Sequence, residues 1–377
     1  MTAPPDIEPT LEPASPEVKR YSRQKITTML AAGVTSLAWL AFLGLDAGPD
    51  IGAWLTQRLG ESPWLNLIAM AAILGIGLEI ITLPLDFYSS FVLEHRYQLS
   101  NQTFAGWVKR RLKAYVVGGI IGLLMLSGLY ALLWSSGLYW WIWATVGWLL
   151  VSLVLGRLLP VVILPIFYKV TPLDDEPLLQ RLQRLTDGTT LTVEGVYRLD
   201  LSAETRKANA ALAGLGNSRR VLLGDTLLAQ FTAEEIEVVF AHEVGHHVYR
   251  HLPKSIALQV VTTLVGFWIV DTFLGWFAPT RGYHDFTDPA ALPLVLLVLA
   301  VFGLLLSPAL NALSRFFERQ CDRYALDRTG NHAAYRSAFT KLARINKSNP
   351  DPHPLIAWLF YDHPPIRERL AMADGLS

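Results

Sequence analysis

Long apolar segments without charged side chains constrain this sequence more than any other feature. A helix needs about 20 predominantly apolar residues to cross the roughly 30 Å hydrocarbon core of a bilayer. Segment 114–156 has 43 residues and no charge, which fits two helices joined by a turn over 134–138. Single helices are predicted over 26–45, 64–83, 256–277 and 289–314, where Glu79 and Asp271 are the only charged residues. The sequence therefore predicts about six membrane spans.

The overall composition agrees with a chain whose main solvent is lipid. Only 17% of the 377 residues are charged, against roughly 25% in an ordinary soluble domain. The 32 basic and 32 acidic side chains balance, which excludes a nucleic-acid-binding protein because that function needs a basic face. Cys321 is the only cysteine, so no intramolecular disulfide can form and any metal site must use histidines and carboxylates.

The distribution of basic residues predicts which ends of the spans face the cytoplasm. Four basic residues lie within 19–25 before the first span, and five lie within 96–113 between the second and third spans. The loops on the opposite side hold only Arg58 and Arg281. Because cytoplasmic loops are enriched in Lys and Arg, the N-terminus and both large polar blocks are expected on the cytoplasmic side.

This topology predicts five consecutive regions. They are a disordered cytoplasmic tail over 1–25, four spans over 26–168 with a cytoplasmic loop at 86–113, a first polar block over 169–254, two further spans over 255–314, and a second polar block over 315–377. No internal repeat is evident, which argues against a transporter built from repeated halves.

The first polar block reads as a small sheet followed by a helix. Runs 193–199 and 220–223 are rich in β-branched and apolar residues, and 209–216 is expected to form an edge strand that ends at glycines. A capping-box pattern at Thr232 then begins a helix. The predicted fold class is therefore mainly α: a polytopic helical membrane protein with a cytoplasmic domain that contains a small β-sheet.

The helix that follows carries an HExxH motif. His242 and His246 are four residues apart, so they lie one turn apart on the same face and can bind one zinc ion. Glu243 flanks that face and can take a proton from a zinc-activated water. The motif predicts a metalloprotease with one Zn²⁺ per chain. The polar blocks 169–254 and 315–377 are then the two parts of a zincin-like catalytic domain.

A catalytic zinc site takes three protein ligands and keeps one position open. The helix expected after the last span carries Glu318 and Asp322 on one face. Glu318 is predicted as the third ligand, and Asp322 as the acceptor that orients a ligand histidine. Without the HExxH motif, both would be read as parts of a solvated charged helix with arginine partners. Cys321 is interpreted as a packing residue.

From residue 84 to the end, the sequence resembles an integral-membrane zinc metalloprotease family typified by the type I CAAX prenyl protease, which trims the last three residues of prenylated proteins. The segments that carry the resemblance are 84–94, 101–103, 167–173, 209–216, 220–228, 241–246 with His251, Glu318 with Asp322, and 361–370, in this order.

The resemblance implies roles for particular residues. His242, His246 and Glu318 would bind zinc, and Glu243 would act as general base and then as proton donor. The edge strand, through Asn209, Ala211 and Gly214, would hold the substrate backbone by β-augmentation. His363 and Arg367 would stabilise the tetrahedral oxyanion. The implied partners are the bilayer and a peptide or protein substrate that can be prenylated.

Three alternatives stay open at this point. A site-two-type protease also carries HExxH, but within a span, whereas charged residues precede His242 here. A heat-shock-type membrane protease of quality control shares the zinc chemistry and differs in substrate. A catalytically silent, zinc-stabilised scaffold would not need Glu243. The intramembrane charges Glu79, Arg157 and Asp271 are candidates to line an internal chamber; the alternative is that Asp271 lies near a helix end and Glu79 pairs with a neighbouring side chain.

Overall fold

The computed structural model describes residues 13–189, 191, 194–215 and 219–375. In chain order, its helices are α1 (Pro16–Leu59), α2 (Pro63–Arg96), α3 (Phe104–Ser135), α4 (Gly137–Phe167), α5 (Glu176–Thr186), α6 (Asp225–Leu228), α7 (Ala233–Val248), α8 (His251–Thr280), α9 (Pro289–Thr329), α10 (His332–Ile345), α11 (Pro354–Phe360) and α12 (Ile366–Ala373). Within the described ranges, six of them are long and apolar enough to cross a membrane, namely α1 to α4, α8 and α9. The prediction of six spans and a mainly helical fold is confirmed.

Large apolar side chains on these six helices are exposed at the protein surface. Val34, Ile80, Leu124 and Leu305 are between 66% and 77% exposed. In a soluble protein such side chains would leave apolar surface in contact with water, which is unfavourable. In a bilayer they contact hydrocarbon, and their exposure carries no such free-energy cost. The burial pattern thus agrees with helices that face lipid.

Helix α1 begins earlier than the charge-free segment suggested. The Ser15 side chain accepts a hydrogen bond from the Val18 amide (3.2 Å), and Pro16 occupies the first helical turn. Tyr21 is buried, and its hydroxyl donates to Glu94 Oε1 (2.8 Å). Residues 16–25 are therefore helical where the sequence predicted a disordered tail, because this side chain anchors them. Residues 1–12 lie outside the described part of the chain.

The connection between the second and third spans is also shorter than predicted. Helix α2 continues to Arg96 and α3 begins at Phe104, so only seven residues separate them. The loop at 86–113 was predicted because this segment contains many charged residues. Several of these charges lie on helical turns instead, where Arg111 Nη2 is 2.5 Å from Glu79 Oε1.

A four-stranded sheet lies between the first four spans and α7. Its strands are β1 (Val170–Pro172), β2 (Gly195–Leu199), β3 (Ala210–Ala213) and β4 (Arg220–Gly224), in the spatial order β1-β2-β4-β3. Strands β2 and β4 are parallel, and the other pairs are antiparallel. The predicted edge strand is confirmed as β3. Residues 193 and 216, at the ends of two predicted runs, lie outside the described residues.

The two polar blocks share one hydrophobic core. It joins residues of α5, β4 and α7 to residues of α9, α10 and α12, among them Leu182, Val238, Leu326, Phe339 and Leu370. Helix α9 connects this core to the membrane region, because the same helix contains the last span and the charged turns after Ser314. The two polar blocks are separated in sequence by two spans, but they pack against each other in the structure, with α7 of the first block against α9 and α10 of the second.

Two of the intramembrane charges have polar partners. Glu79 pairs with Arg111 as described above, and Asp271 Oδ1 accepts a hydrogen bond from Trp140 Nε1 (2.7 Å). Both contacts join neighbouring helices of the bundle. They favour the interpretation that these two charges hold helices together.

Candidate active site

Helix α7 positions the HExxH residues through its cap and its packing. Glu235 Oε2 accepts from the Thr232 amide (2.8 Å), and the Thr232 hydroxyl oxygen accepts from the Glu235 amide (3.3 Å), so the predicted capping box is present. One turn separates the rings of His242 and His246, whose centroids are 5.3 Å apart. Because both side chains leave the same helical face, their imidazoles converge on one point.

Gly245 allows α7 to approach α9 closely enough to bring a carboxylate to that point. A Cβ atom at this position would be 3.0 Å from the Cα atom of Cys321. The missing side chain therefore lets the two backbones pack almost in contact. As a result, Glu318 and Asp322 of α9 reach the histidines of α7.

Glu318 contacts both motif histidines. Its Oε2 atom is 3.1 Å from His242 Nε2, and its Oε1 atom is 3.3 Å from His246 Nε2. Glu318 is almost fully buried, and Oε2 has no hydrogen-bond partner within the described part of the chain, despite its short distance to His242. Two lone-pair-bearing atoms that approach without a hydrogen bond, in a buried site, are well suited to share a cation. The donors present thus fit a metal ion.

Cys321 belongs to a second set of donors. The ligand atoms of His242, His246 and Cys321 lie within 4.8 Å of one another. However, the sulfur is 3.5 Å from His251 Nδ1, which is 3.1 Å from His246 Nδ1. Cys321 therefore lies on the Nδ1 side of His246, whereas Glu318 faces the Nε2 atoms of both histidines. Since one ion cannot bind to both sides of an imidazole, we favour the set that contains Glu318.

Asp322 and Arg369 fix the orientation of His242. Asp322 is fully buried, and its Oδ1 atom is 2.9 Å from His242 Nδ1. Arg369 Nε donates to Asp322 Oδ2 (2.9 Å), and the other Asp322 oxygen contacts Arg369 Nη2. Burial opposes protonation of His242, but the neighbouring carboxylates of Asp322 and Glu318 outweigh it and raise its pKa to about 9. The carboxylates of Asp322 and Glu318 thus stabilise positive charge at the position of His242.

His251 plays the corresponding part for His246. Its Nε2 atom is 3.0 Å from Gln320 Oε1, and its ring stacks on Phe317 at 4.1 Å between centroids. Because the amide oxygen only accepts, His251 carries its proton on Nε2, and its Nδ1 atom accepts from His246 Nδ1. This arrangement leaves the Nε2 lone pair of His246 directed at Glu318 and the site.

Glu243 lies between the histidines and the sheet edge. Its Oε2 atom accepts a hydrogen bond from the Leu212 amide of β3 (3.3 Å). Asn209 lies beside it in a groove of about 400 Å³ that His242, Glu243 and His363 also line. Ala211 and Gly214 lie further along β3 in a second cavity, which also contains Glu243. The structure therefore brings the predicted general base and the predicted substrate strand together.

His363 also reaches the site. Its Nε2 atom is 3.5 Å from Glu318 Oε1, and its Nδ1 atom is 2.8 Å from Asp362 Oδ1. The hydrogen bond with Asp362 raises the pKa of His363, which favours a protonated, donating imidazole at the groove.

The structure does not bring Arg367 to this cluster. The Arg367 side chain is half exposed, and its Nε atom is 3.7 Å from Asp351 Oδ2. Helix α12 begins at Ile366, and side chains two residues apart on a helix point about 200° apart. Arg369 consequently faces inward where Arg367 faces outward. Arg369 is therefore the arginine of this helix that contacts the cluster, and the predicted role of Arg367 has no contact in this structure to support it.

Besides Arg369, two residues that contact the cluster, His251 and Gln320, were not predicted with a role. Helix α7 ends at Val248, and Arg250 adopts a left-handed conformation (φ 54°) that turns the chain back into α8. This turn places His251 against His246. The sequence signal was a further histidine, His251, five residues after His246. Gln320, between Glu318 and Asp322, gave no signal of its own.

The fold and the site together define a class: a polytopic membrane protein with an HExxH metal centre between two halves of a catalytic domain, which is a membrane-embedded metalloprotease. Two family models match the chain. The model described as CAAX prenyl protease N-terminal, five membrane helices, matches residues 2–169, and the model of peptidase family M48 matches residues 172–377. The chain belongs to peptidase family M48.

Similar proteins span bacteria and eukaryotes. The uncharacterized metalloprotease YhfN of Bacillus subtilis is 31% identical, with 90% of this chain and 80% of the relative covered. The CAAX prenyl protease 1 homolog of Arabidopsis thaliana is also 31% identical, over 90% of this chain and 77% of its own. The crystal structure of S. mikatae Ste24p superposes with a TM-score of 0.80 at 25% identity, and the match covers 95% of this chain and 87% of that one.

Proposed function

We propose that this protein is a zinc endopeptidase that removes the C-terminal tripeptide from prenylated CAAX-type substrates at a site on the cytoplasmic side. The observation that carries the proposal is the position of Glu243. It lies between the two motif histidines and accepts a hydrogen bond from Leu212 in the edge strand β3. A substrate strand added to this edge would present its backbone to the metal site.

His242, His246 and Glu318 would hold the ion. Two imidazole nitrogens and one carboxylate are donors that suit Zn²⁺, and the three leave a fourth position open. When bound, the ion supplies Lewis acidity, which polarises the scissile carbonyl and lowers the pKa of water. Asp322 and His251 act through the two histidines by fixing which nitrogen faces the ion.

The chain's own residues carry the proton transfers. Glu243 takes a proton from the attacking water as the carbon–oxygen bond forms, and it passes this proton to the leaving amine as the peptide bond breaks. His363 donates a hydrogen bond from Nε2 to the oxyanion of the tetrahedral intermediate. Arg369, buried behind His242, keeps Asp322 charged and in place. Arg367 has no part in this mechanism.

The substrate class and the sidedness rest on separate support. Relatives from plants to yeast bear the name CAAX prenyl protease. The excess of basic residues within 19–25 and 96–113 favours a cytoplasmic position for these loops. Asn209, Ala211 and Gly214 lie along the strand that would pair with the substrate backbone.

A peptide assay tests this proposal. Purified protein in detergent is incubated with a farnesylated peptide that ends in a CAAX sequence, and mass spectrometry follows release of the last three residues. We expect release by the unaltered protein, loss after chelation, and recovery when Zn²⁺ is restored. The unfarnesylated peptide is the control. Equal cleavage of both peptides, or cleavage of unfolded membrane proteins alone, would contradict the substrate class and favour a quality-control protease.

A further inference from the structure

Two cavities meet at Glu243, one at each end of strand β3. The groove described above contains Asn209 and Ala210, at the start of the strand. A second cavity of about 1270 Å³ contains residues 211–215, from the strand and the turn after it. Glu243 lines both of them. A substrate paired with β3 would therefore place the two sides of its scissile bond in different cavities.

The walls of the two cavities differ in origin. The residues that line the groove belong to the catalytic domain, in segments 208–243 and 339–369. Catalytic-domain residues line the second cavity too, among them Asp187, Arg219 and Arg328. It differs from the groove because Gly156 and Leu159 of α4, Leu252 of α8 and Phe317 of α9 also line it, and we call it the membrane-side cavity. All three helices contain membrane spans. Unlike the groove, this cavity connects the metal site to helices that contain membrane spans.

We propose that the membrane-side cavity holds the isoprenoid chain of the substrate. This inference rests on the proposed function. In a CAAX-type substrate the lipidated cysteine immediately precedes the scissile bond, so its side chain must enter a cavity beside Glu243. A volume of about 1270 Å³ exceeds the roughly 300–1,000 Å³ of common small-molecule pockets. Burial of the chain against membrane helices removes its apolar surface from water.

This assignment also fixes the direction of the substrate. The lipidated residue lies towards the end of β3, at Gly214 and Leu215, and the three released residues extend towards Asn209. The substrate therefore runs antiparallel to β3. The hydrogen-bonding groove then receives the peptide that is released.

Gly156 lies close to Leu215, and both residues line the membrane-side cavity. A Cβ atom at this position would be 3.1 Å from Leu215 Cδ1, which is closer than ordinary contact. A larger side chain on α4 must therefore displace Leu215 or fill the space beside it. The glycine leaves room between the membrane helix and the end of the substrate strand.

The test compares Gly156→Val with Gly147→Val, its matched control on the same helix. A Cβ atom at Gly147 would meet only Leu132 Cδ1, at an ordinary 3.5 Å. We expect Gly156→Val to lower the ratio of kcat/KM for farnesylated over unfarnesylated peptide by about tenfold, since a hydrophobic pocket discriminates by about this factor per misplaced methylene. Gly147→Val should leave the ratio unchanged. An unchanged ratio in Gly156→Val would overturn the assignment.

Crosslinking provides a second readout that does not depend on a cavity variant. A peptide whose isoprenoid carries a diazirine is bound to the Glu243→Gln protein and irradiated. We expect adducts within 156–159, 252–255 and 314–317. Adducts within 339–346, in the groove, would overturn the proposed location of the isoprenoid chain. This result would not contradict a preference for the farnesylated peptide. Equal cleavage of the two peptides by the unaltered protein would instead contradict the proposed substrate class.

Discussion

At the residue scale, the positions of donor atoms around His242 and His246 distinguish the two candidate metal-binding sets. Glu318 approaches the Nε2 atoms of both histidines, and Cys321 lies on the opposite side of His246. We expect Glu318→Ala to reduce bound zinc to well below one ion per chain and to abolish cleavage together with it. Elemental analysis of the purified protein measures the metal content.

Cys321→Ser is the matched test of the other donor set. Since the thiol faces His251 rather than the site, this variant should retain its zinc and most of its activity. Loss of zinc in Cys321→Ser with retention in Glu318→Ala would show that the cysteine is the ligand.

The contact between His251 and His246 predicts a role in metal affinity. His251→Ala removes the acceptor that fixes the Nδ1 proton of His246, so affinity for zinc should fall by about 10- to 100-fold. Competition with a zinc chelator measures this affinity. Gln320→Glu retains an acceptor for His251 Nε2 and should stay near the unaltered affinity. A His251→Ala protein with normal zinc affinity and reduced thermal stability would indicate a purely structural role.

At the scale of secondary-structure elements, the close packing of α7 on α9 assembles the site. Gly245→Ala would place a methyl group 3.0 Å from the Cα atom of Cys321 and force the helices apart. We expect a loss of about 1–3 kcal/mol in the free energy of unfolding and weaker zinc binding. Gly303→Ala on α9 is the control, because a Cβ atom there meets nothing within 4 Å. Equal thermal stability of the two variants would argue against this packing role.

Periodic and charge-free patterns allowed most elements to be predicted. The six spans, the capping box of α7 and the edge strand β3 all follow from local sequence, because each depends on neighbouring residues. The sequence also placed Glu318 near the motif histidines, because the helix that follows the last span was expected on the same side of the membrane. The structure brings these side chains together, and the role of Glu318 as third metal donor stays a prediction.

The features that were missed depend on contacts between distant elements. Arg369 and Arg367 are both plausible from sequence, and only the starting point of α12 decides which one faces inward. His251 reaches His246 through the left-handed turn at Arg250, which has no strong local signal. The helical start of α1 depends on Glu94, more than seventy positions away from Tyr21.

At the scale of the whole molecule, a buried ionic cluster joins the membrane helices to the catalytic domain. Glu94 of α2 is buried, and Lys207, just before β3, is 2.8 Å from its Oε2 atom. Lys25 of α1 is 3.1 Å from the other oxygen. Because Lys207 precedes the substrate strand, this cluster fixes the strand relative to the bilayer.

Removal of Lys207 should uncouple these parts. Lys207→Ala leaves the buried Glu94 carboxylate with one cation fewer, and we expect a loss of about 1–3 kcal/mol in unfolding free energy, together with a raised KM. Thermal unfolding in detergent and peptide kinetics measure the two effects. Lys19→Ala, on the same helix as Lys25, is the control for removal of one positive charge. Unchanged stability and KM in Lys207→Ala would contradict the coupling.

The central claim is that metal binding and proton transfer are separate duties of adjacent residues on α7. The most direct measurement determines zinc content and peptide cleavage on the same preparations of unaltered protein and Glu243→Gln, with Glu237→Gln as a control on the same helix. We predict equal zinc in all three, normal cleavage by Glu237→Gln, and a loss of at least about 100-fold in Glu243→Gln. A Glu243→Gln protein that holds zinc and cleaves at the normal rate would contradict the mechanism.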